Sequence, residues 1–193
     1  MIAAIVYLYI IAIVFGVKAN MEKRQYLLTM LFIVCLFNGA CSSEPGIDKG
    51  KYKKIDATAQ GVKASIDAGA SYQQVADRIQ ELSIKIAELK DQTTTRREKD
   101  LVQAYIDLLT IYRDGLLLWR YKLEFPFFDS RLKGRIYIGQ DVERIVVKYR
   151  FTTQSHIYAP TGQYWKSIGE DSIQKIWEDA DFQLKAIHNI TNY

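Results

Sequence analysis

From Tyr52 to Trp119 the apolar residues recur at intervals of three and four, interrupted only by two short polar turns. That period lines one face of an α-helix and restricts the chain to a fold built from helical hairpins. Tyr52, Ile55, Ala59, Val62 and Ile66 make the first stripe, and Gly69 supplies a plausible C-terminal stop. Ser71 and Gln74 then stand at capping-box spacing, where each side chain can satisfy an amide of the first turn. The second stripe is Tyr72, Val75, Ile79, Leu82, Ile86 and Leu89. Asp77, Arg78, Glu81, Lys85 and Glu88 occupy its opposite, solvated face. Asp91 to Thr95 reads as a turn, and Thr95 with Glu98 repeats the capping-box spacing.

The third stripe is the longest: Leu101, Tyr105, Leu108, Tyr112, Leu116 and Trp119, with Val102, Ile106 and Leu109 beside it. Such width suits a helix that touches more than one neighbour. Pro126 ends it by Phe125 at the latest, because proline disfavours helix at the preceding residue. Ile173, Ile176, Trp177, Ala180, Leu184 and Ile187 form a last face, which Asp171 or Ser172 can cap. The expected fold class is all-α, an antiparallel bundle of about four helices. One irregular segment, a short helix or a small β-hairpin, separates helices three and four. Val142, Ile145, Val146 and Tyr149 fit a short helix from about Asp141, the reading preferred here. The β-branched and aromatic content of Arg135–Ile138 and Ile145–Phe151 keeps strands as the alternative.

The N-terminus is of another character. Of the 26 basic and 22 acidic residues, only Lys18, Lys23, Arg24 and Glu22 precede Ser42. Met1–Val17 is an uncharged run at the lower limit for crossing a bilayer. Met21 then opens a short basic stretch, followed by an apolar run from Tyr26 to Phe37 and by Asn38-Gly39-Ala40-Cys41. That order is the secretory pattern. Residues 1–20 are either upstream of a true start at Met21, the reading favoured here, or the first arm of a membrane hairpin. In a hairpin, the basic link would stay cytoplasmic. The division expected is therefore 1–20 apolar, 21–41 signal or anchor, 42–50 tether and 51–193 helical domain.

With its cysteine after two small residues, this stretch resembles a bacterial lipoprotein signal, which implies acylation of Cys41. Asn38 departs from the aliphatic residue usual in that family. Ala40-Cys41-Ser42 also fits ordinary cleavage, and an uncleaved anchor is the third possibility. The domain in turn resembles small all-helical bacterial envelope proteins to which no activity is attached. The likeness covers about residues 52–123 and 166–187, through Gly69-Ala-Ser-Tyr-Gln-Gln74, Leu118-Trp119-Arg120 and Ile173-Gln-Lys-Ile-Trp177. The resemblance implies a protein of the cell envelope facing the periplasm. Ser42 favours the outer membrane over the inner, where aspartate would argue for retention.

Composition removes several function classes. The 49% apolar and 25% charged residues suit a globular domain, not a disordered chain. Beyond residue 41 the net charge is about +2, which gives no concentrated basic face for nucleic acid. Both cysteines, Cys35 and Cys41, lie in the apolar N-terminal region, so the domain has no thiol nucleophile. His156 and His188 have no evident ligand partners, and His188 is expected to meet helix-end carbonyls. Phosphate loops and Gly-x-Ser-x-Gly turns are absent, and Glu170-Asp171 and Glu178-Asp179 read as caps or solvated faces. No cofactor, metal or catalytic residue is expected.

The aromatics are the suggestive feature, because many of the 13 tyrosines, 8 phenylalanines and 3 tryptophans fall in Trp119–Phe128 and Tyr149–Trp165. Trp119, Arg120, Phe127, Phe128, Tyr164 and Trp165 are the candidate interaction patch, being residue types enriched at binding hot spots. The alternative is that Trp119, Phe125, Phe127 and Phe128 close one end of the core. The expected function is a membrane-tethered, non-enzymatic module that binds another envelope protein or acts as a spacer. A carrier of small ligands, with a tyrosine-lined cavity between helices, is the second expectation.

Overall fold

A computed structural model describes residues 47–124, 134–158 and 160–192. The signal, Cys41 and the junctions at Met21 and Ser42 lie outside the described residues, as do Phe127 and Phe128. Five helices and three strands follow in the order α1 (Lys49–Asp67), α2 (Tyr72–Lys90), α3 (Arg96–Glu124), β1 (Arg135–Tyr137), α4 (Gln140–Tyr149), β2 (Gln154–Tyr158), β3 (Gln163–Gly169) and α5 (Asp171–Asn192).

The local signals explain the long helices. Asp48 caps α1 by accepting from the Gly50 amide at 2.9 Å. Gly69, at φ 67°, turns the chain out of α1, and the Ala70 amide bonds back to the Ser65 carbonyl. Ser71 and Gln74 form the capping box of α2. The Thr95 hydroxyl accepts from the Glu98 amide at 3.1 Å to open α3. The buried residues of α1 and α2 all belong to the first two stripes, of which only Ile66 and Tyr72, at the turn between the helices, are half-buried. In α3 the face rotates: after Tyr112 the buried positions are Asp114, Gly115, Leu118 and Tyr121, whereas Leu116 and Trp119 are only half-buried. The cause is Gly115, whose missing side chain admits the Trp177 ring of α5.

Side-chain contacts set the helix directions. Asp56 of α1 meets His188 of α5, and Lys63 meets Asp181, so these two run antiparallel. Lys51 reaches Glu98 and Asp56 reaches Tyr105, so α1 and α3 run parallel. Arg113 bonds Ser83 while Trp119 packs edge-on against Tyr72, which makes α2 and α3 antiparallel. The chain thus enters at one pole, where α1 begins and α5 ends.

At the other pole the all-α expectation needs correction: the molecule is mostly helical but carries a small three-stranded antiparallel sheet. Between α3 and α5 the short helix and the hairpin, taken as alternatives from the sequence, are both present. Arg135–Tyr137 is the strand β1, whereas Ile145–Tyr149 belongs to α4, whose Val142, Ile145 and Val146 bury one face. The hairpin is made instead by β2 and β3, with β3 in the centre of the sheet. Ile136 and Ile168, paired across β1 and β3, are fully buried and join the helical core.

Candidate functional site

The strands divide the side chains of the sheet between two faces. Ile136, Ile168, Lys166, Tyr164 and Ile157 share one face, by alternation and by register. Its inner part is core, but its outer part projects past the helices, leaving Ile157 59% and its register partner Tyr164 66% exposed. As register partners the two exposed side chains adjoin each other across the hairpin. The strand carrying Ile157, β2, is an edge strand without proline or lysine, so nothing in its own sequence blunts it.

The second face holds Arg135, Tyr137, His156, Trp165 and Ser167. The His156 ring stacks on Trp165 with centroids 4.3 Å apart, and Tyr137 approaches Trp165 at 6.0 Å. Ser167 Oγ is 2.8 Å from Arg135 Nε and 2.7 Å from His156 Nε2. Arginine only donates, so the hydroxyl accepts from Arg135, while the imidazole tautomer sets which way the bond to His156 runs. A serine–histidine contact of this kind invites a nucleophilic reading. Ser167 is fully buried, however, and the trio fixes the face of β3 rather than offering an oxygen to a substrate. None of this was legible in advance, because Arg135 and Ser167 are 32 positions apart.

Of the patch residues expected from sequence, the structure places Trp119 and Arg120 on the last turns of α3, and Tyr164 and Trp165 on β3. All four belong to the sheet pole, yet they do not form one surface. Trp119 is half-buried against Tyr72, Trp165 is held under His156, and only Tyr164 projects freely into solvent. The backbone alternation sends neighbours Tyr164 and Trp165 to opposite faces. Arg120 lies 3.7 Å from Glu124 along the same helix. Ile157, which completes the exposed pair, was missed because a lone isoleucine in Gln-Ser-His-Ile-Tyr gives no periodic signal.

The histidine expectation also changes. His188 Nε2 lies 2.8 Å from Asp56 Oδ1, so its partner is a carboxylate of α1 instead of a helix-end carbonyl. Contact with α1 wins because α5 runs alongside it at that height.

Two of the hollows near the sheet pole are lined in part by α5. The larger, about 720 Å³ and open, runs between the ends of α4 and β2 and the start of α5. Arg135, Arg150 and Lys175 face Asp171, Glu178 and Asp179 around it, a balanced set that selects no ligand charge. The Lys175 ammonium, 2.7 Å away, holds the Asp171 carboxyl below its usual range. The smaller hollow, about 280 Å³, lies between α1, α3 and α5 and is lined by Tyr112 and Trp177. Among the described residues no three His, Cys, Asp or Glu side chains gather as a metal set. None of the described helices is long and apolar enough to cross a membrane. The chain matches no family model, and no curated protein or solved structure matches it either.

Proposed function

We propose that this chain is an envelope lipoprotein, exported and held by acylated Cys41, whose domain is a non-enzymatic module binding a second envelope protein. The four long helices are read as an antiparallel bundle serving as a spacer. The observation that supports binding is the exposed Ile157–Tyr164 pair beside the open edge of β2, at the pole opposite the start of α1. α1 begins at the other pole, where His188 of α5 meets Asp56. An open edge can accept a strand from a partner, with affinity from main-chain bonds and specificity from alternate side chains. The lipoprotein-type signal, Gly39-Ala40-Cys41, supports the export and anchoring part.

A photo-crosslinking amino acid placed at Ile157 or Tyr164 of the full chain in its native cells tests the reading. A discrete adduct from both positions, absent from exposed Gln80 on α2, is the expected result. No adduct at either position, or the same adducts from Gln80, defeats it. The small-ligand carrier is the second reading, favoured by the tyrosine-lined hollow between the helices.

A further inference from the structure

The smaller hollow has a chemical bias that the larger one lacks. Lys63 and Asp67 of α1, Tyr112 of α3, and Trp177, Glu178 and Asp181 of α5 lie around it. Lys63 Nζ donates to Asp67 at 2.8 Å and to Asp181 at 2.7 Å. One ammonium thus faces three carboxylates, which leaves two negative charges at the rim. The rings of Tyr112 and Trp177, tilted by 47° with centroids 6.3 Å apart, close it below, with Trp177 8% exposed. Tyr112 is 1% exposed, and its hydroxyl has no hydrogen-bond partner among the described residues. Burial, with the charges of Asp181 and Asp67, pushes that hydroxyl far above its ordinary pKa, so it stays protonated and its oxygen keeps free lone pairs. A buried polar atom left unpaired is costly, and native structures seldom keep one without cause.

We infer that this hollow binds a short-chain organic ammonium, with the cationic head between Asp181 and Glu178, the methylenes over Trp177 and an N–H donated to the Tyr112 oxygen. Each part answers a different feature. The carboxylates favour a cation over an anion, and aromatic faces attract ammonium groups while covering the apolar stem. The unpaired oxygen calls for a donor. A volume of about 280 Å³ falls just below the range of drug-sized sites, so only a small molecule fits. Residues of the hairpin take no part, so this site stands independently of the proposed protein-binding surface.

Putrescine is the probe, titrated into the full chain in non-ionic detergent by calorimetry and by thermal unfolding. Butane-1,4-diol and succinate serve as neutral and anionic controls of similar length. Saturable binding of putrescine alone, weakened by added salt, is expected. Tyr112→Phe removes only an unsatisfied hydroxyl, so the variant stays as stable as the parent or gains stability, while its putrescine affinity falls about tenfold. Glu178→Gln, on an exposed side chain, weakens binding without disturbing the fold. No saturable response to millimolar putrescine, an equal response to the diol, or unchanged affinity in either variant overturns the inference.

Discussion

Gly115 lies where α3 and α5 approach most closely. A Cβ built there falls 2.3 Å from the Trp177 ring, so alanine forces the indole out of its place. The expected cost of Gly115→Ala is about 1–3 kcal/mol, the usual range for overpacking, seen as a lower urea midpoint with an unchanged slope. Gly61 in α1 is the control: nothing lies within 4 Å of its added Cβ, so Gly61→Ala gains about 0.5–1 kcal/mol. Equal effects at both sites would show that Trp177 is not locked against α3. Glu98 is the second residue on which much depends, since it binds the Lys51 ammonium at 2.9 Å and the Thr94 amide at 2.9 Å. Those bonds, Lys51 first, lower its pKa from 4.5 to about 2. A lowered folded-state pKa means that the contribution is complete above about pH 4.5 and is lost as the pH falls towards 2. Chemical denaturation across that window should show a steeper acid loss in the native protein than in Glu98→Gln. Parallel curves would remove Glu98 as the acid-sensitive group. The same carboxylate helps push the buried Tyr52 hydroxyl up to about 12, after the larger effect of burial itself.

Among elements, α4 joins its buried apolar face to α3 through one buried carboxylate. Asp114, 5% exposed on α3, accepts from Lys148 at 2.7 Å and from the Tyr149 hydroxyl at 3.1 Å, both on α4. Hydrogen bonds to a charged group are worth about 1.5–3 kcal/mol each way of counting, so Asp114→Asn should loosen α4 more than it loosens the long helices. Hydrogen exchange reads this directly: amides of Val142–Tyr149 should exchange faster in the variant, with those of α1 little changed. A uniform increase would mean that Asp114 supports the whole core and not this docking. The same elements show where sequence is informative. The stripes of α1, α2 and α5 and both capping boxes were legible because each signal lies within one helix. Val142, Ile145 and Val146 likewise gave α4 its helical face, against the strand propensity of the same residues. The sheet was only half legible, since β2 has one large aliphatic residue and depends for its structure on pairing with β3. The hollow was not legible at all: Lys63 and Asp67 share a helix face, but Asp181, 118 positions from Lys63, joins them only through the packing of α5 on α1.

The domain from Lys49 onward has two unlike ends, with the start of α1 at one and the sheet at the other. The order of elements produces this: α3 leads into the sheet, and α5 returns from it to the entry pole, where His188 meets Asp56. The start of α1 and the hairpin therefore lie at opposite ends of the helical domain. The reading depends on what the mature N-terminus is, and intact mass of the native protein extracted from membranes decides that. Processing before Cys41 predicts the mass of residues 41–193 plus attached acyl chains, and Cys41→Ser should abolish the lipid increment. A mature chain without lipid that begins near Cys41 would mean ordinary cleavage and a freely diffusing domain, so a partner would have to be found without help from a shared membrane. A mass that includes Met21 or earlier residues, again without lipid, would replace the lipid by an apolar anchor. In that case the Ile157 and Tyr164 crosslinks remain the test of the hairpin, because its distance from the entry pole is fixed by the helices and not by the kind of anchor.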